Sequence, residues 1–362
     1  MFRWVGLAVL CAVPSLAADL VFLGNLERVG HGSISIKLAD LREIDARIPD
    51  KSNLTAVKLA AAYKMGDHVQ ISCKKIRSAW EEESGRFQFL ELTKLRRLRN
   101  ATAADVSRIS VYPPWSNEVN LLSRTTQQPS PMTASTDAAL ERARQINLEY
   151  AQHMPNFMAD ETAKRYTADA KAQEWRDLDT IETEITFKGS RAVRRQIRRD
   201  GKPWEQPFQA LPGFKWSGGF GSEIRPLFDP RCPTAIRFVE TTAMRGKEVR
   251  EYEFQSPPDG CFDPFYLEYQ RYNPARSGHV FIEESGHIVQ LDELADDFPR
   301  GMGFAERQEE VFLDYVKIGD SSHLVPVGAN FVVRYAGGNR ARVEVEYKNH
   351  RHFEASTNVT FR

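Results

Sequence analysis

The chain has 362 residues in which 49 Lys and Arg balance 49 Asp and Glu, so no global charge drives it toward nucleic acid or an acidic polymer. Hydrophobic residues at 41% and charged residues at 27% describe a packed core under a solvated surface, which excludes a disordered tail, collagen, a coiled coil or multiple membrane spans.

Residues 1–17 read as a secretory signal peptide: Arg3 supplies the positive charge, Trp4 to Val13 an apolar run, and Ser15-Leu16-Ala17 a small-x-small cleavage site. The run is shorter than the roughly twenty residues a membrane span needs. The mature chain is therefore expected in the periplasm or cell envelope, without a transmembrane segment. In that oxidising compartment Cys232 and Cys261, each beside a Pro or Gly, are expected to form a disulfide, worth about 3 to 4 kcal/mol through loop closure. Cys73 shares a strand face with Val69 and Ile71 and is expected to be a buried apolar filler.

Residues 18–97 alternate with period two in short runs. Ile34, Ile36 and Leu38 share one face, and His68 to Cys73 and Arg86 to Leu90 repeat the pattern after turns at Gly66-Asp67 and Ser84-Gly85. Such strands predict a small β-barrel, SH3-like or OB-like, because closure removes exposed edges. Residues 98–135, with Pro113-Pro114, Pro129 and Pro131, read as a proline-rich linker.

The remainder, residues 136–362, opens with a helix capped at Thr136 or Asp137 and ended by Met154-Pro155; the rest reads as β. Thr180 to Phe187 and Arg191 to Arg199 form a hairpin, followed by strands at 235–241, 248–254, 265–271, 278–283, 287–291, 310–318, 330–335, 341–347 and 353–361. Gly246, Gly286, Gly319 and Gly337-Gly338 mark the turns. No βαβ rhythm appears, so the expected class is mainly β: a small barrel plus one large, curved antiparallel sheet with a leading helix.

One-sided alternation along these strands groups Ile181, Ile185 and Phe187; Ile236 and Phe238; Tyr252 and Phe254; Phe265, Leu267 and Tyr269; Val280 and Ile282; and Val343 and Val345. These faces either line a ligand space or pack as core. Ser222 to Phe228 predicts a short helix over the concavity, with Phe220, Ile224 and Leu227 as an inward lid. Among the arginines of 191–199, alternation puts Arg194 and Arg198 on one face. They either pair with Glu182 and Glu184 across the hairpin or, with Arg191, contact an anionic headgroup or envelope polymer.

The leading helix from Asp137, the hairpin at Ile181 to Phe187, and the piece Gly278 to Leu291, where a strand ends in an acidic Gly turn and returns apolar, together resemble the periplasmic lipoprotein-carrier (LolA-like) superfamily. The resemblance covers residues 136–362 and implies an eleven-stranded half-barrel closed by helices around an apolar cavity. It implies lipid or lipoprotein carriage; the barrel and linker depart from that family's single compact domain.

Catalytic templates are missing: there is no Gly-x-Ser-x-Gly elbow, His-Glu-x-x-His, phosphate loop with its Lys, or Cys-x-x-Cys. His350 and His352 share a strand face but lack an identifiable third ligand, so neither metal nor cofactor is expected. The expected function is non-enzymatic binding of an apolar or acyl-bearing ligand in a curved-sheet cavity, which a void above about 300 Å³ lined by these faces would favour. The alternative is an envelope module docking on cell-wall polymer or a protein partner.

Overall fold

The structure, a computed structural model, describes residues 19–30, 32–49, 55–77, 88–107, 137–154, 156–172, 174–188, 191–216, 223–267, 270–299 and 302–352. Residues 1–17, read above as a signal peptide, most of residues 98–135, read as a linker, and the strand expected at 353–361 lie outside the described residues.

The protein is mainly β, built on two sheets. In the smaller, β1 (Leu20–Gly30), β2 (Ser33–Lys37) and β3 (Glu43–Arg47) form a meander, and β4 (His68–Arg77) and β5 (Gln88–Arg99) follow the short helix α1 (Ala56–Ala62). Strand β1 changes partner midway. Leu20 to Asn25 pair with β4, and Asn25 to Gly30 pair with β2. A short parallel pairing of Ala46 with Leu90 and Arg47 with Glu91 brings β3 back to β5. Ile34, Ile36, Val69, Ile71 and Cys73 are wholly buried inside, as half-buried strand alternation dictates. Burial pushes the Cys73 thiol up to about 12, with Asp19 adding to the shift, so the thiol stays protonated. Helix α1, capped by the Thr55 side chain on the Lys58 amide, is not announced by the sequence pattern, and among its described side chains Leu59 alone is buried.

After α2 (Ala103–Ser107), the larger unit begins with α3 (Ala138–His153). Asp137 caps α3 at the Ala139 amide, and its other carboxylate oxygen takes Arg250 Nη2 at 2.6 Å and Tyr252 Oη at 2.8 Å, so one residue both starts the helix and ties it to the sheet. Strands β6 (Phe157–Ala168), β7 (Arg176–Lys188), β8 (Arg191–Arg199) and β9 (Lys202–Pro203) are followed by the five-residue helix α4 (Ile224–Phe228) and by β10 (Ala235–Met244) and β11 (Lys247–Ser256). Next come β12 (Phe265–Leu267), β13 (Gln270–Tyr272), β14 (Arg276–Glu283), β15 (Ile288–Ala295), β16 (Phe304–Ile318), β17 (Ser321–Tyr335) and β18 (Arg340–His352). The large sheet runs β10-β11-β14-β15-β16-β17-β18-β6-β7-β8-β9, antiparallel throughout.

Two expectations are corrected. The single strand expected at 265–271 is instead the hairpin β12–β13, and it belongs to the small sheet: Gln270 pairs with Ile44 and Arg271 with Glu43. The second correction concerns β8. Gln196 has φ 51° and the register slips there, Glu182 facing Arg198 but Glu184 facing Arg195. A bulge inserts one residue and reverses the faces beyond it, so Arg194 points to the concave side and Arg198 to the convex side, where alternation had put them together.

The turn between β14 and β15 is clamped by α3. Asn147, fully buried, donates to the Gly286 and Ala143 carbonyls at 2.8 Å and accepts from the Ile288 amide at 3.1 Å. Gly286 has φ 95°, so glycine is favoured there by conformation; an added Cβ would also press on Ile146 Cδ1 at 2.7 Å, the movable end of a side chain.

Candidate functional site on the concave face

The concave face is covered by α3, by the segment 204–216 with its three-residue 3-10 turn (Phe208–Ala210), and by α4. Ile181, Ile185, Phe187, Ile236, Tyr252, Phe254, Val280, Ile282, Val343 and Val345 all reach this face and pack in one cluster with Leu140, Ala143, Phe208, Leu211 and Trp216. Phe238 is half-buried at its margin, its ring 5.6 Å from that of Tyr252. Apart from Phe238, these residues are 0 to 7% exposed, the value of packed core, the second of the two alternatives for these faces; a cavity admitting an acyl chain would leave its lining accessible to a water-sized sphere. Ring stacking accounts for the filling: Phe157 on Phe187 at 5.4 Å, Phe254 on Phe262 at 5.9 Å and Phe208 edge-on to Trp216 at 5.0 Å.

Helix α4 directs Ile224, Leu227 and Phe228 into this cluster; Phe220 lies outside the described residues. Tyr269 lies outside them too, and Leu267, on β12, leaves the concave face with its hairpin. Cys232 and Cys261 are joined, Cα to Cα 5.6 Å, stapling the chain just after α4 to the loop before β12.

Pattern reading missed a band of buried charge. One register row crosses six strands through Glu293, Glu309, Phe331, Val343, Arg165 and Asp179, all facing inward. Arg165 makes a two-pronged pair with Asp179, both contacts 2.6 Å, and donates Nη1 to the Pro212 carbonyl at 2.7 Å, fastening the cover to the sheet. A second anchor lies nearby. Glu161 accepts from Arg194 at 2.5 and 2.8 Å, from Thr183 Oγ1 at 2.8 Å and from Trp216 Nε1 at 2.9 Å. Burial opposes ionisation of Glu161, but Arg194 and these donors override it and hold its carboxyl below the usual range. Arg194 also lies 4.3 Å over the Phe208 ring, so its guanidinium is committed to Glu161 and the cover, which corrects its expected role as an anion contact.

Arg198 is exposed on the convex face, opposite Glu182, and Arg191 starts β8 opposite Lys188. Arg199 pairs with Asp179 at 2.6 Å. His350 places Nε2 3.0 Å from the Pro326 carbonyl.

A third polar group, near β12, is less fully matched. Arg276 pairs with Glu293 at 2.9 Å and Arg307 with Glu309, and both guanidinium groups lie over the Phe265 ring, at 4.5 and 4.9 Å. Arg276 Nη1, Glu293 Oε2 and Glu309 Oε1 are buried without hydrogen-bond partners. Burial, more than any neighbour, pushes the Glu309 carboxyl up to about 8 despite Arg307, and Asp263 up to about 7. The signal that would have exposed this band is a charged residue at an inward position of an otherwise apolar alternation, as in Phe157-Met158-Ala159-Asp160-Glu161-Thr162-Ala163.

No protein-family model and no curated protein matches the chain. Solved structures do resemble it. A DUF1329 family protein from Desulfovibrio piger is 10% identical, over 64% of this chain and 98% of that one, with a TM-score of 0.32. A domain assigned to outer membrane lipoprotein sorting, from Vibrio parahaemolyticus, is 9% identical over 60% and 94%, with a TM-score of 0.30. A LolA superfamily protein from Nitrosomonas europaea is 7% identical over 60% and 97%, with a TM-score of 0.23.

Proposed function

We propose that this is an exported, non-enzymatic binding protein of the cell envelope that takes an apolar or acyl-bearing ligand against the concave face by displacing the cover, not by filling a standing cavity. The observation that carries this is the mismatch between the sheet and what covers it. Beside α3, an apolar face that continues across the large sheet is covered in residues 204–216 and 224–228 by elements of three and five residues, fastened at Arg165 and Glu161. Such a cover has little backbone hydrogen bonding of its own to lose, and an acyl chain offers the face the same apolar contact. Roughly eight buried methylenes contribute about 6 kcal/mol, an affinity in the tens of micromolar before the cost of lifting the cover is subtracted.

The packed interior favours a second reading, a solid scaffold whose outer surfaces dock on envelope polymer or a protein partner. One experiment separates the two. Protein purified without detergent is analysed for co-extracted lipid, then titrated with a fluorescent fatty acid beside a Trp216→Phe variant that lacks the donor to Glu161. Carriage predicts lipid in the extract and stronger uptake by the variant. Clean protein with no uptake by either form would overturn carriage and leave the scaffold.

A further inference from the structure

The convex face of the large sheet holds a polar concavity of about 200 Å³ across β16, β17 and β18. Two register rows build it: Gln308, Val332 and Arg342 in one, Glu310, Asn330 and Glu344 in the other. Side chains that point outward from a convex sheet ordinarily splay into water. Here they are held upright. Asn330 Nδ2 donates to Glu310 at 2.8 Å, Arg342 pairs with Glu344 at 2.8 Å, and Tyr166 Oη donates to the same carboxylate at 3.0 Å. Arg342 is further stacked 4.4 Å over Tyr166 and 5.4 Å over Trp175, which fixes the fork of its guanidinium. Its Nε is buried and has no hydrogen-bond partner.

From this we infer that the concavity is a subsite for a neutral, hydroxyl-rich ligand: one ring of an uncharged oligosaccharide. The half-buried Val332 gives a small apolar floor of the kind that the C–H face of a sugar ring covers. Around it stand two side-chain amides, which both donate and accept, two carboxylates, which accept, and a guanidinium, which donates; a hydroxyl, donor and acceptor at once, can meet each of them. An acidic sugar or phosphate is disfavoured, because two carboxylates face one already paired guanidinium. The volume is below that of a drug-sized pocket, so the rest of an oligomer extends along the strands.

The test uses the whole protein on an array of neutral and uronate-containing oligosaccharides, followed by calorimetry with the strongest neutral binder. Binding of neutral oligomers in the micromolar to millimolar range is expected, weakened at least fivefold in Asn330→Ala and in Gln308→Ala, with thermal midpoints and fatty-acid uptake unchanged. Binding to uronates alone, absence of neutral binding, or neutral binding indifferent to both substitutions overturns the assignment. The concave-face reading stands or falls separately, since its readout is lipid uptake.

Discussion

Glu309 and Asp263 show what a single side chain costs when folding takes it from water. Both carboxyls have folded values raised above their ordinary ones, to about 8 and about 7 against 4.5 and 3.8, so each favours the fold only while protonated. That contribution is complete below the ordinary values and is lost as pH rises through the raised ones. An Asp263→Asn/Glu309→Gln variant should therefore gain on the wild type in thermal midpoint as pH goes from about 5 to about 8; a constant difference across that range would contradict the assignment. Glu161 runs the other way: with its carboxyl held low, it supports the fold above the ordinary 4.5 and withdraws that support on acidification. Neither behaviour was legible in the sequence. Alternation can mark a Glu as inward-facing, as it does Glu161 between Ala159 and Ala163, but it cannot name the partner across the sheet that sets the carboxyl's shift.

At the level of elements, turns and strand existence were legible because they are encoded locally. Gly246, Gly286, Gly319 and Gly338 all sit at turns with positive φ, and the helix from Asp137 begins at that residue's cap. The bulge at Gln196 was not legible, since nothing in Arg195-Gln196-Ile197 marks a residue that leaves the ladder. Nor could 265–272 announce its sheet; an apolar hairpin pairs with whichever edge the fold presents. The Cys232–Cys261 staple matters at this scale because it fixes the end of the cover to the loop preceding that hairpin. Replacing both cysteines with serine should lower stability by about 3 to 4 kcal/mol in urea unfolding, in proportion to the loop released. A midpoint that did not move would show that the staple constrains nothing the core does not already hold.

For the molecule as a whole, a boundary drawn at the proline-rich linker separates two stretches of sequence that the fold rejoins. The small sheet is completed by β13. Lys37, buried beside Glu43, meets Asp259 at 2.6 Å, Arg271 pairs with Glu43, and Arg42 donates to Gln270 at 2.5 Å. Residues 19–107 produced alone keep Lys37 and Glu43 but lose Asp259 and Arg271, and they expose the β3 edge. That fragment should give a poorly dispersed amide spectrum or associate, whereas the whole chain gives dispersed signals; a well-folded monomeric fragment would show that the hairpin is ornament to the barrel. Long-range partnerships of this kind leave no mark on local periodicity, which is why the class of the fold was legible and its connectivity was not.

The place of β18 between β17 and β6 has a consequence for how the protein is made. Its first large-sheet strand, β6, waits for a neighbour 172 residues downstream at Ala168–Arg340 and 195 at Phe157–His352, so the seam cannot close until β18 has left the ribosome. Until then the edges of β6 and β17 stay open to other chains, and a chaperone that shields them during synthesis would decide the yield.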